Sequence, residues 1–229
     1  MVALSSVASP ALAQRQVEED TGSRIAVPRR ARIPDSPGLS EHARARVTLA
    51  QFARCTVDRK PSQVSAIVAQ PAERLGDTLV AKAADDDCLS SGQMRMKPLL
   101  MRGALFTELY RRRNQAERRG AAWRMPAVAF DAHTPVAAAD PEIAVQLALL
   151  SFAACVVQRD PETAKAVVLK PAASKEQDAA FAALAPLLGP CLPSGQEIKL
   201  GKTILEGALG EVLYRGTVPV ARTVSQEAR

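Results

Sequence analysis

Aromatic side chains are nearly missing from this chain: only 3% of its 229 residues are Phe, Tyr or Trp, with a single Trp. That disfavours a sheet-built core, because strands draw on bulky aromatic and β-branched residues. Histidine is just as scarce, with His42 and His133 the only two, so a metal set or a His-activated nucleophile has little to build on. Cysteine is limited to four, at wide spacings unlike the C-x2-C pairs of zinc sites and redox dithiols. No metal and no cofactor is expected. Long apolar runs are missing as well. The longest, "MVALSSVASPALA" at the start, falls short of the roughly 20 residues that cross a bilayer, so no transmembrane helix is expected.

What remains is an apolar fraction of 47%, enough for a core, drawn from Ala, Leu, Val and Met. Alanine loses no rotamers on entering a helix, so the composition predicts an all-α fold. The net charge of +6 permits attraction to polyanions.

The strongest pattern is internal repetition. "FARCTVDRKP" from Phe52 is answered by "FAACVVQRDP" from Phe152, "CLSSGQ" from Cys88 by "CLPSGQ" from Cys191, and "GALFTELYR" from Gly103 by "GALGEVLYR" from Gly207. Three matched blocks in one order predict a tandem duplication of a unit of about 65 to 75 residues. The expected organisation is a signal-peptide-like segment at 1–13, a disordered arm at 14–39, helical repeat 1 at 40–119, a connector at 120–139, helical repeat 2 at 140–215 and a disordered tail at 216–229.

Each repeat reads as a small four-helix unit. The first helix carries Leu49, Phe52 and Cys55 or Thr56 on one face, matched by Val145, Leu149, Phe152 and Val156. Pro61 and Pro161 sit where a second helix starts, with Asp160 as a cap, and Pro71 and Pro171 stop it. A third helix runs through Leu75, Leu79, Val80 and Ala83, and through Phe181, Leu184, Ala185 and Leu188. The fourth carries Met101, Ala104, Leu105 and Leu109, matched by Leu205, Ala208, Leu209, Val212 and Leu213. Both copies keep a glycine inside this helix, Gly103 and Gly207, where it costs about 1 kcal/mol relative to alanine. Close approach of a neighbouring helix is the expected reason.

Four cysteines allow three pairings, and sequence alone does not choose among them. A unit that once stood alone would have closed its own bridge, which gives Cys55–Cys88 and Cys155–Cys191. Disulfides persist in oxidising compartments. The small-x-small end of the opening stretch, Ala11-Leu12-Ala13, resembles a signal-peptidase site although no basic residues precede it. Together these predict a bacterial periplasmic or secreted protein.

Candidate site residues come from repetition and from charge. Arg59 and Arg159 close the first helices and suit the helix dipole, with ligand binding as the alternative role. The pairs Tyr110-Arg111 and Tyr214-Arg215 close the fourth helices. A tyrosine there packs its ring and lets its hydroxyl find a partner, and the two pairs could join Arg59 and Arg159 in a shared groove. Arg112, Arg113, Arg118 and Arg119 extend the first of these helices into a basic run, "RRRNQAERR", that is a candidate anionic-partner patch. Residues 44–119 hold fifteen basic against eight acidic side chains, and residues 141–215 seven against eight, so the charge asymmetry lies between the copies. No aromatics interleave the arginines, which argues against nucleic acid. An envelope protein, an anionic glycan or lipid headgroups fit better. Asp85-Asp86-Asp87 lacks the alternating ligands of a calcium loop. Trp123 and Phe130 in the connector are placed to pack across the copies. The expected function is therefore a non-catalytic binding or structural accessory protein of the cell envelope, with a hydrolase-type enzyme working in an inter-repeat groove as the alternative.

Overall fold

The computed structural model describes residues 28–34, 38–84, 86–132, 140–192 and 200–218. The signal-like segment, most of the arm, Asp85, His133 and the tail beyond 218 lie outside the described residues. Among the described residues there are eight α-helices and no strand: α1 (Glu41–Arg59), α2 (Pro61–Val68), α3 (Asp77–Ala83), α4 (Pro98–Arg118), α5 (Pro141–Arg159), α6 (Pro161–Leu169), α7 (Lys175–Leu188) and α8 (Lys202–Arg215). The all-α class is thus observed.

Local chemistry sets the helix starts. Pro61, Pro98, Pro141 and Pro161 occupy first-turn positions, where the missing N–H would have no intrahelical partner. Ser40 caps α1 by accepting from the Ala43 amide, and Asp160 caps α6 by accepting from Thr163 at 2.9 Å. The Thr163 hydroxyl and amide hold the half-buried Asp160 carboxyl below its usual range.

Two expectations about helices need adjusting. The third helix of the first half is broken: a 3-10 turn at Ala72–Arg74 is followed by Leu75 and Gly76 with non-helical backbone before α3 begins. Its counterpart α7 starts cleanly from Ser174, whose hydroxyl accepts from Gln177, and runs 14 residues. In α5 the expected stripe holds at Phe152 and Val156 but not at Val145, which is 58% exposed, while Gln146, Leu147, Leu150, Ala153 and Ala154 also face inward. A helix apolar nearly all round gives no sharp period from which to read its buried face. The same composition makes α5 long and apolar enough to cross a membrane, which corrects the reading that no later stretch approaches spanning length.

The core is organised around α4 and α8. These helices run side by side in the same direction, because Gly103 meets Gly207, Thr107 meets Gly210 and Arg113 meets Tyr214 in ascending order. A Cβ on Gly103 would lie 2.6 Å from the Gly207 Cα, and one on Gly207 2.8 Å from the Gly103 Cα. Only glycine permits such an approach. All of α8 from Leu205 to Arg215 is buried, and α1, α5 and α6 pack around the pair.

Two disulfides fasten the periphery. Cys55 pairs with Cys88 and Cys155 with Cys191, with Cα separations of 5.5 and 5.7 Å, so each bridge ties the long first helix of a half to the turn after its third helix. They are consistent with an oxidising extracellular compartment. Part of the arm also docks here: Ala31 is fully buried, donating to the Cys88 carbonyl and accepting from the Ser90 amide. The described part of the connector, up to Ala132, is non-helical beyond Gly120. Phe130 is buried and bridges Gly216 and Val218 through its backbone.

Candidate functional site

Charged side chains occur inside the apolar stripes of α4 and α8, and they fall into two groups. Glu211 is fully buried and accepts from Arg102 Nε at 2.7 Å and Nη2 at 2.6 Å, and from Arg215 Nε at 2.7 Å. Burial alone would push this carboxyl up, but Arg102 and Arg215 outweigh it and hold the group below its usual range. Burial lowers Arg215, with Glu211 opposing. Glu206 anchors the second group, accepting from Arg46 at 3.1 Å and Arg111 at 3.0 Å.

The arginine pairs at the helix ends act across the halves. Arg111 donates to the carbonyls of Val168 at 2.7 Å and Lys170 at 2.9 Å, at the end of α6. Arg215 donates to the Gln70 carbonyl at 2.9 Å, just past the end of α2. Each half therefore completes a short helix of the other.

The basic run divides by role. Arg112 binds Glu108 at 2.8 Å and Asp58 at 2.6 Å, and donates to the Arg54 carbonyl. Arg113 donates to the carbonyls of Tyr214 and Leu213 at 2.6 and 2.7 Å, and lies 5.3 Å from the ring centres of both Tyr110 and Tyr214. Arg118 and Arg119 are exposed.

The two tyrosines differ in what they meet. Tyr214 donates its hydroxyl to the Met125 carbonyl and accepts from Trp123 Nε1 at 3.0 Å. No hydrogen bond reaches the Tyr110 hydroxyl among the described residues, and burial raises the group. Its charged neighbours include Lys165 and Glu162 of α6.

Between α1, α4 and α6 opens a groove of about 1080 Å³, bordered by both halves of the chain. Its cations are Arg54, Arg111, Arg112, Arg118, Lys165 and Lys170, six against three carboxylates. Each carboxylate is already engaged: Asp58 by Arg112, Glu108 by Arg112 and Arg54, and Glu162 by Lys165 at 2.7 Å. Arg111 is paired in turn with Glu206, so Arg118 and Lys170, both exposed, are the groove cations without a carboxylate partner among the described residues.

Of the residues singled out from sequence, the groove gathers Arg111, Arg112 and Arg118. It does not include Arg113, Arg119, Tyr214 or Arg215. Arg59 pairs with Asp87 at 2.7 Å and Arg159 is exposed at the end of α5, so these two lie apart from the Tyr-Arg pairs. His42 is exposed in the first turn of α1. Among the described residues no group of His, Cys, Asp and Glu is arranged to hold a metal.

Sequence reading missed Arg54, Asp58, Lys165 and Lys170 as groove residues. The available signal was the four-residue spacing of Arg54 with Asp58 and of Glu108 with Arg112, which puts each pair on one helix face. No protein-family model, curated protein or solved structure matches the chain, so the groove is read from its own geometry.

Proposed function

We propose that the protein is an exported, non-catalytic binding or structural accessory module of the bacterial cell envelope, whose inter-half groove receives an anionic partner. The observation that carries this reading is the basic groove itself, with its carboxylates engaged internally and its surplus cations directed outward. A hydrolase would need a carboxylate or nucleophile held ready for proton transfer. The groove's three carboxylates are instead tied to arginine or lysine, which favours binding over catalysis. The two disulfides support export to the periplasm or beyond.

The chain is further read as a tandem duplication of a four-helix unit. Support comes from the three matched sequence blocks, the equivalent disulfides, the Gly103–Gly207 contact and the reciprocal reach of Arg111 and Arg215.

Elution from an anionic matrix in a salt gradient tests the binding reading. The variant Arg118→Gln/Lys165→Gln/Lys170→Gln is expected to elute at clearly lower salt than Arg74→Gln/Lys82→Gln/Lys175→Gln, which removes the same charge outside the groove. Equal elution of the two would dismiss the groove. Nonreducing peptide mapping of protein from the native host tests export, and free thiols there would contradict it.

A further inference from the structure

The open groove has a counterpart that the chain fills for itself. Arg111 ends against the α6 carbonyls of Val168 and Lys170, and Arg215 ends against the Gln70 carbonyl after α2. Beside Arg215 runs the connector, which is non-helical from Ala121 to Phe130. The Val128 amide donates to the Val68 carbonyl at 3.4 Å, and the Val128 carbonyl accepts from Arg215 at 3.1 Å. Three residues earlier the Met125 carbonyl accepts from the Tyr214 hydroxyl, and the Trp123 ring stands edge-on to Tyr214 with centroids 6.3 Å apart. Beside Arg111 no such segment lies among the described residues, and the Tyr110 hydroxyl is left without a hydrogen-bond partner there.

The two surfaces differ in charge. Where the repeat alignment puts Ser62, Ser65 and Ala154 on the side of Arg215, the open side has Glu162, Lys165 and Arg54. The mainly apolar stretch "WRMPAVAF" meets this uncharged side at Val68 and leaves Ser62 and Ser65 exposed.

We infer that the open groove binds an extended, acidic polypeptide segment of another protein. This rests on the anionic-partner reading above and specifies the partner's chemistry. Arg215 and Tyr214 hold their segment through two main-chain carbonyls three residues apart, those of Val128 and Met125, acceptors that every residue of a polypeptide carries and a glycan or a lipid headgroup lacks. The positive excess selects carboxylates along that segment.

The test uses the full chain and three probes: a labelled, blocked peptide of alternating Glu and Val with a central Trp, a heparin oligosaccharide, and vesicles containing phosphatidylglycerol. Peptide affinity is expected to fall about ten-fold in Arg118→Gln/Lys165→Gln/Lys170→Gln, as the loss of several exposed charge contacts implies, and to change less than about two-fold in Arg74→Gln/Lys82→Gln/Lys175→Gln. If heparin or vesicles bind through the groove and the peptide does not, the polypeptide inference is overturned while the anionic-partner reading stands. Equal loss in both variants makes the attraction non-specific and overturns the inference. If no probe binds, both readings fall.

Discussion

Glu211 is fully buried, and Arg102 of α4 and Arg215 of its own helix both depend on it. Glu211→Gln leaves Arg102 and Arg215 buried without an anion, and a loss of about 3 to 5 kcal/mol is expected in denaturant unfolding. Its carboxyl is held below the ordinary range in the folded chain. Its contribution is therefore present above the unfolded value of about pH 4 and is lost as pH falls through the depressed folded value. The native protein should lose stability on acidification, and the acid limb of the Glu211→Gln profile should be flatter. The tyrosines offer a cleaner contrast. Tyr214→Phe removes a hydrogen bond to Met125 and should cost about 1 kcal/mol, whereas Tyr110→Phe, which breaks none among the described residues, should stay within about 0.5 kcal/mol. Thermal melts of both variants decide this. The sequence reading placed both tyrosines at the edge of the core but treated them alike, since the partner of Tyr214 comes from a connector without periodicity. Arg102, Glu206 and Glu211 escaped notice for a related reason: a charge inside an apolar stripe shows its partner only when the facing helix is known.

Among the elements, α4 and α8 set the spacing of everything else. Gly103→Ala puts a methyl 2.6 Å from the Gly207 Cα, so the helices must part. The overpacking penalty of about 1 to 3 kcal/mol exceeds the gain of about 1 kcal/mol in helix propensity, and a net destabilisation is expected by calorimetry. A close helix approach at each glycine was legible, because two glycines at matched positions in helices need a common cause, but not that Gly103 and Gly207 meet each other. Helix boundaries were legible too, through Pro61, Pro161 and Asp160. The buried face of α5 was legible at Phe152 and Val156 but not nearer its start, since Val145 and Leu147 are equally apolar and only Gln146, which turns inward 3.4 Å from Glu211, distinguishes the sides there. The break at Leu75 and Gly76 was also missed, because an apolar period continues across it.

The whole molecule divides its charges unequally. The first half supplies Arg46, Arg102 and Arg111, while both buried glutamates that answer them, Glu206 and Glu211, sit on α8. A fragment spanning 40–119 would expose the face that α8 covers and leave Arg102 without its carboxylate. Neither this fragment nor 140–218 should unfold cooperatively alone, whereas an equimolar mixture should regain a sigmoidal helix-melting transition. A cooperative melt of either fragment by itself would show that the halves do not need each other. The repeat pattern held no hint of this dependence, because it matches the positions of the halves and says nothing of how their charges differ.

The burial of α8 along its length also orders events in time. A chain made from its N-terminus presents α4 about a hundred residues before the helix that covers it, and contacts across such separations form slowly. Until α8 arrives, the Gln70 carbonyl after α2 lacks the Arg215 donor and Arg102 lacks its counterion Glu211. The chain therefore stays unfinished through most of its synthesis, a condition suited to passage through a membrane channel that admits only unfolded polypeptide.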